Sequence, residues 1–509
     1  MCEGLNRFVY HTFPHTPPES GRPGWVYNFG TLINTTNGWW PKSEGFHQYL
    51  ARCSYLLQQG EFIGDVAFYY GDEAPNFVPP KHIPATLGPG YDYDVVNSEI
   101  ILTRMTVRNG RIYLPHGQWY EVLVLPHDTR MNPQVLQKLE QLAAAGAIII
   151  GPRPERSYSL ARHQAADRKI QSLAAALWGN VDSVHRQERA YGKGKIIWGK
   201  TVREVLLQKG ITLDVSFKGD HAEDAIDFIH RRTPDADIYF IRNKTETPVT
   251  GTCTFRVKNS LPEWWDAETG AQVPITSFSR SGAGMALPLN LGAQASVFIV
   301  FQRKKAPQVP RANPIAATDH IYTPKGLVRT KGARANPVTF NGPWEVRFEH
   351  KGNTPVADTV QQLASWHTHT HPAIKYFSGQ ATYYNSFEVT AGDLANGRVL
   401  LLALNEVREI AEVYLNGKRL GQHWHRSHRF ALTDELKPGT NHLVIEVVNS
   451  INNSLVGDAQ QPKEYRDLRS NITRLPNAWM KPFAEAPLLD AGLIGPVTFQ
   501  WASLVDTNQ

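Results

Sequence analysis

His11 and His15 stand at the end of a short apolar run and just beyond it, and Gly38-Trp39-Trp40-Pro41 follows in the same segment. Imidazoles placed this way can pair with ligand hydroxyls, and indole faces can stack on the apolar side of a pyranose ring. Stabilising the loop and packing it on its own scaffold are the competing uses of His11, His15, Trp39 and Trp40. Toward the other end, Trp424, His425, His428 and Arg429 follow the hairpin signal Asn416-Gly417, while Asn449, Asn452 and Asn453 follow an apolar run ending at Val448. Trp424 offers another stacking face there and Asn452 an amide for hydroxyls, against a scaffold that only packs. His367, His369 and His371 alternate, which in an extended segment puts three rings on one side and could attract zinc or copper. No fourth ligand is evident, and a His/Thr loop before Pro372 is the simpler reading.

These residues need elements to position them. Arg7 to His11 is aromatic and β-branched, and Pro14, Pro17 and Pro18 must end any ladder, so Asn6 to Phe13 reads as a buried strand running into an irregular loop. Gly45 to Gln59 then carries Phe46, Tyr49, Leu50, Cys53, Leu56 and Leu57 at helical spacing. Strand, loop and helix make one β/α unit, and in a (β/α)8 barrel the strand's C-terminal end faces the active site. Alone, such a strand exposes both edges. The expectation is a chain that starts in mid-fold, Met1 being an internal methionine taken as a start after a frameshift, a split gene or an incomplete assembly.

From Phe62 the pattern alternates. Phe62 to Tyr70, Tyr120 to Pro126, Ala147 to Gly151 and Lys195 to Gly199 read as strands buried on both faces. Val95 to Thr106, Pro133 to Ala145, His163 to Trp178 and Thr201 to Lys209 read as helices, with Asp92 and Asn132-Pro133 as start signals and Gly146 as a stop. Residues 61–215 are therefore expected to form a doubly wound α/β domain, with Arg111 to Leu114 and Tyr120 to Leu125 as an inserted hairpin. Beyond residue 215 short strands at sandwich-like spacing predict a small β-sandwich over 216–303. The Pro, Ala and Lys content of 304–339 reads as a linker, and 340–505 as a jelly-roll sandwich.

Bulk properties narrow the possibilities. At 509 residues the chain exceeds one core, and roughly 150 residues per domain implies three or four. Its 53 basic and 47 acidic residues are spread along the chain, so the net charge of +6 gives no case for nucleic-acid binding. Aromatics at 10% suit carbohydrate stacking faces and β-rich cores alike. Cys2, Cys53 and Cys253 are too far apart for a disulfide framework or zinc spacing, and no Cys sits on the strand-to-helix elbow an amidotransferase nucleophile needs. Neither a Gly-rich phosphate loop, a signal peptide nor a run of about 20 apolar residues is present, so no membrane association is expected.

Several longer runs carry a resemblance: CEGLNRFVYHTF, TNGWW, YLARCSYLLQQG with DVAFYYGDEAP, YDYDVVNSEIILTRM, IKYFSGQATY, VYLNGKRLGQHW, LKPGTNHLVIEVVNSINN and LVGD. In this order they resemble the C-terminal half of the α-L-rhamnosidases of glycoside hydrolase family 106, from residue 2 to about residue 500. The resemblance implies the last β/α unit of a (β/α)8 barrel over 1–60, an amidotransferase-like α/β domain, a small β-sandwich, and a galactose-binding-like jelly roll of the glycoside hydrolase family 2 type. It further implies inverting hydrolysis of terminal α-L-rhamnosides by two glutamates on barrel strands, which here would precede Met1. Sugar contacts at His11 and His15 follow from the same resemblance. A calcium ion near the active site is allowed by it, with no ligands assigned, and family members are often exported.

Inverting hydrolysis needs two carboxyls roughly 6.5–9.5 Å apart. Within residues 1–60, Glu3 precedes the strand, Glu19 lies in the loop, and Glu44 begins the helix, where a carboxylate is an ordinary stabilising feature. Three readings follow. The first is the C-terminal portion of a rhamnosidase, inactive alone; the second is a carbohydrate-binding or scaffold protein. In the third, a separate chain carries the rest of the barrel. The proline-containing segment frequent in the family is replaced here by HWHRSHRF, which weakens contacts carried over around Trp424.

Overall fold

The computed structural model describes residues 1–504 except 12, 27–32, 34, 74–86, 259, 283, 304–319, 324–325, 330–336, 350–354, 396–397, 426–428 and 476–480. Helix α1 (Glu44–Leu57) forms where the periodicity predicts it and buries Cys53, Leu56 and Leu57. That face packs on Ile229, Ile238, Phe240 and Phe298 of the small β-sandwich.

The run from Phe62 to Tyr70 is two strands. Glu61–Phe62 pairs antiparallel with Arg232 and Arg231 at the edge of the small sandwich, and Val66–Tyr69 enters the next sheet. Gly64 makes the bend possible, since a Cβ there would meet the Phe62 ring at 2.8 Å. Five parallel strands follow in the order Gly194–Ile197, Ile148–Ile150, Val122–Val124, Val66–Tyr69 and Tyr93–Val96, with Glu188–Tyr191 antiparallel on one edge.

Helices cover both faces of this sheet. Helices α2 (Ser98–Thr103), α3 (Pro133–Ala145) and α4 (His163–Trp178) bury Ile101, Leu136, Leu139, Ile170 and Trp178 on one face. Helix α5 (Val202–Gln208) sets Val202, Val205 and Leu206 against Val66, Val122 and Ile197 on the other. Local signals fix the ends: Asn132 caps α3, Thr201 and Glu204 form a capping box, and Gly146 ends α3 at φ 125°. The predicted helix from Val95 is corrected. Tyr93–Val96 is taken as a strand by pairing with Val66–Tyr69, and α2 starts later, capped by Asn97 accepting from Ile100 N. The predicted hairpin is a three-stranded flap, Thr106–Arg108, Arg111–Tyr113 and Trp119–Tyr120.

The small sandwich packs Val215–Gly219, Val249–Phe255, Gly284–Leu291 and Ser279–Ser281 against a sheet centred on Ser296–Gln302 and Ala236–Asn243. Phe217, Tyr239, Phe255, Met285 and Phe301 form its core. Its junction with the α/β sheet holds buried charge. Arg256 reaches Asp65 Oδ2 at 3.0 Å across the junction and Asp214 Oδ1 at 3.5 Å. His230, 0% exposed, has Nδ1 at 2.9 Å from Asp214 and Nε2 at 2.9 Å from Asp237. Asp214 and Asp237 both have lowered pKa values, and against two ionised carboxylates both ring nitrogens donate, which makes the ring an imidazolium. Burial alone would lower its pKa, but the two carboxylates raise it above the usual histidine value. Burial pushes Asp65 up to about 6 despite Arg256.

The C-terminal sandwich packs Val356–Val360, Trp344–Phe348, Gln380–Val389, Gly439–Val448, Ile410–Leu415 and Lys418–His423 against Thr498–Leu504, Arg398–Ala403 and Arg429–Leu432. Trp344, Trp366, Phe377, Tyr383, Leu402 and Ile445 fill the space between. The hairpin at Asn416-Gly417 takes φ 52° and 81°, the left-handed pair that a two-residue turn requires. The stretch 304–339 is more than a connector. Gly326–Arg329 and Val338–Thr339 pair with Thr498–Leu504, and Val328 is buried against Val399, Leu401 and Ala502. Among the described residues no helix is long and apolar enough to cross a membrane.

Candidate functional site

The expected strand over Asn6 to Phe13 is absent among the described residues, because no described strand lies beside it to complete a ladder. Val9 and Phe13 are 86% and 70% exposed, and His11 and His15 lie on exposed, irregular chain. Beyond them the loop is anchored to the C-terminal sandwich. Pro23–Gly24 pairs in parallel with Arg469–Ser470, Val26 N donates to Asn471 Oδ1 at 2.7 Å, and Asn471 Nδ2 donates back to Val26 O at 2.9 Å.

Trp39 and Trp40 are half-buried at the loop's far end. Trp40 lies edge-on to His47 of α1 at 5.8 Å. Lys42 then ties the loop down. Its ammonium, buried, lies 2.7 Å from Glu412 and 2.6 Å from Glu446 of the C-terminal sandwich. Burial lowers the Lys42 pKa, but the two carboxylates outweigh it and leave it raised.

Between loop and sandwich lies a cleft of ≈ 1030 Å³, lined by Arg22, Asn37, Gly38 and Lys42 on one side and Glu349, Tyr376, Gln380, Asp458, Tyr465 and Asp467 on the other. Carboxylates, amides and tyrosines suit a hydroxylated ligand: acids and amides pair with hydroxyls while rings cover apolar faces. Asp458 also braces its wall, Oδ1 accepting from Asp467 N at 2.8 Å and Leu468 N at 3.2 Å. None of His11, His15, Trp39 and Trp40 is among the cleft-lining residues, although their immediate neighbours Thr16, Gly38 and Pro41 are. Sequence reasoning missed Arg22, Asp458 and Asp467. The Gly21-Arg22-Pro23-Gly24 tetrad was the one available signal, as a constrained turn carrying a cation.

Trp424 and Asn452 do not join this cleft. Trp424 packs between Phe46 at 5.4 Å and Tyr49 at 5.1 Å of α1, and lines a separate cleft of ≈ 390 Å³ with Glu44, Gln48, Glu268, Arg419 and Arg429. Its neighbour His425 reaches Glu268 of the small sandwich at 2.7 Å, while His428 lies outside the described residues. Asn452 is buried at the start of helix α6 (Asn452–Ala459), where its amide donates to Asn453 Oδ1 at 3.3 Å and Pro487 O at 3.4 Å. Through this amide nitrogen Asn452 braces the start of the helix. Glu44 accepts from Gln48 at 2.8 Å at the head of α1.

The three alternating histidines diverge. His367 lies 2.7 Å from Ser365, His369 lies 3.1 Å from Asp358, and His371 accepts from Ala373 N. Among the described residues no group of three or more His, Cys, Asp or Glu could hold a metal ion. All three cysteines are buried thiols outside any disulfide; burial pushes Cys53 up to about 12, far from a nucleophile's range.

A β-rich, multidomain chain that closes a polar cleft against a jelly-roll sandwich has the build of a carbohydrate-active protein. The alpha-L-rhamnosidase family model of glycoside hydrolase family 106 matches residues 1–280, and the galactose-binding domain-like model of glycosyl hydrolase family 2 matches residues 366–480. The chain belongs to the glycoside hydrolase family 106 α-L-rhamnosidases. A rhamnosidase from Novosphingobium sp. PP1Y superposes with a TM-score of 0.80 at 31% identity, over 98% of this chain and 44% of that one. A Formosa agariphila protein provisionally named a beta-glucuronidase is 25% identical over 97% of this chain and 60% of its own length. A β-glucuronidase from Ruminococcus gnavus matches 22% of each chain at 19% identity and a TM-score of 0.20, too slight a likeness to bear on function. The chain thus spans 60% of the curated relative and 44% of the solved rhamnosidase.

Proposed function

We propose that this chain serves as the C-terminal portion of an inverting α-L-rhamnoside hydrolase and does not hydrolyse alone. The observation that carries this is the superposition of 98% of the chain on 44% of a rhamnosidase. In this reading residues 1–60 are the last β/α unit of a (β/α)8 barrel, and the sheet holding Val66–Tyr69 is a structural, amidotransferase-like domain. The loop carrying His11, His15, Trp39 and Trp40 belongs to the barrel's substrate face. The ≈ 1030 Å³ cleft is a glycan-binding surface shared by that loop and the sandwich. Inversion demands two opposed carboxyls about 6.5–9.5 Å apart, and in this reading Glu3, Glu19 and Glu44 are not that pair.

Exposure of Leu5, Val9, Phe13 and Trp25, at 49%, 86%, 70% and 51%, favours a covering polypeptide over a free-standing binding module. A separate chain carrying the remaining barrel strands would meet that need. The test is hydrolysis of an aryl α-L-rhamnoside by the isolated chain, alone and after mixing with the barrel region of a longer relative. No release alone and release after mixing is expected. Turnover by the isolated chain would overturn the division of labour.

A further inference from the structure

Two cations line the ≈ 1030 Å³ cleft, and they are in opposite states. Lys42 is neutralised by Glu412 and Glu446. Arg22 is half-buried, and among the described residues no hydrogen bond or ion pair reaches its guanidinium. Burial lowers its pKa with no anion to offset the effect. Glu349, Asp458 and Asp467 share the cleft walls, yet none comes within ion-pair distance of it.

The backbone around Arg22 is fixed. Its carbonyl accepts from Arg469 N at 2.9 Å, and the next two residues pair with Arg469 and Ser470. Opposite the guanidinium, a Cβ at Gly38 would lie 3.7 Å from Nη2, so a glycine there leaves its approach open. Taking a guanidinium from water without a counter-charge is unfavourable, and its planar fork matches an oxyanion with two parallel hydrogen bonds. The acids beyond its reach suit a different task, since a carboxylate accepts from sugar hydroxyls.

We propose that Arg22 is the anion-recognising group of the cleft, taking a carboxylate or sulfate ester carried by a sugar residue while Glu349, Asp458 and Asp467 take hydroxyls. This rests on the reading of the cleft as a glycan site and adds the class of sugar it selects. An uncharged ring leaves Arg22 desolvated and unpaired, so discrimination against neutral sugars comes from that penalty.

Calorimetric titration of the full chain with methyl β-D-glucuronide and methyl β-D-glucoside, which differ at C6, tests this directly; glucose 6-sulfate forms the sulfate arm. Binding of at least one charged probe about tenfold tighter than the glucoside is expected, weakening with salt. Arg22→Gln should erase that preference, Arg22→Lys should retain part of it, and both should melt as the parent does. Whichever charged probe gains identifies the oxyanion. Equal binding of all three probes would overturn the proposal and leave the glycan reading standing. A preference that survives Arg22→Gln would overturn the assignment of Arg22. No binding by any probe would remove the glycan reading, and this proposal with it.

Discussion

Replacing His230 by leucine removes two donors and leaves two carboxylates in a buried junction. Asp237 retains Arg232, at 2.6 Å, and Arg303, at 2.8 Å, so the loss falls on Asp214. Asp214 retains the Tyr239 hydroxyl at 2.9 Å and a longer contact to Arg256 at 3.5 Å. Breaking one partner of a buried ion pair costs about 3–5 kcal/mol, and the surviving partners place His230→Leu near about 3 kcal/mol. The pH dependence has a definite sign. His230 has a raised pKa, so its contribution is complete below the ordinary histidine value of 6.5 and is lost as pH rises through the folded value. Asp214 and Asp237 have lowered pKa values, so theirs is complete above 3.8 and is lost as pH falls. The parent should exceed the variant most between those limits, with the gap narrowing on both sides. Asp65, raised to about 6, stabilises fully below 3.8 and loses that contribution as pH rises through about 6; both proteins share this background. Hydrogen exchange of Ile226–Arg232 and Ala236–Asn243 under mild urea reads this locally, as a multidomain chain requires. A loss under about 1 kcal/mol, or a gap independent of pH, would refute the buried imidazolium.

Lys42→Met should leave Glu446 without a cation while Glu412 keeps Arg419, cost up to about 3 kcal/mol, and speed proteolysis of the loop between Thr16 and Pro41. Unchanged cleavage would mean that the pair does not hold the loop. Thr201→Ala removes one half of a capping box and should lower local stability at α5 by about 1 kcal/mol, seen as faster amide exchange at Glu204. Gly492→Ala would set a Cβ 2.2 Å from Trp366 Nε1 at φ 96°, and should cost about 2 kcal/mol or more by urea unfolding followed through tryptophan emission.

Helices α3 and α4 were legible because their signals are local: Asn132-Pro133 and Gly146 punctuate α3, and the apolar spacing of both repeats at 3.6 residues. Asn6 to Phe13 misled because a strand is defined by what lies beside it, and β-branched content cannot report that. Tyr93–Val96 misled for the opposite reason, as a partner at Val66–Tyr69 overrides a helical spacing. At the cleft, His11, Trp39 and Trp424 stand out by type, and types can be read directly. Arg22 does not, because its meaning lies in the lack of a counter-charge among the described residues, and only three-dimensional neighbours disclose that.

Glu61–Phe62 completes an edge whose partner, Arg231–Arg232, comes only after the entire α/β sheet has been threaded through. During synthesis the two residues emerge early and must wait, while the α/β sheet can close on contacts of its own. That sheet is therefore an insertion inside a strand pair. Its two ends must come out side by side before the small sandwich can seal, so a failure to fold in the insertion is felt first as an open seam beneath α1, where Cys53, Leu57 and Phe62 would meet solvent. Chaperone dependence of the nascent chain should consequently track the stability of the inserted sheet rather than that of the sandwich it interrupts.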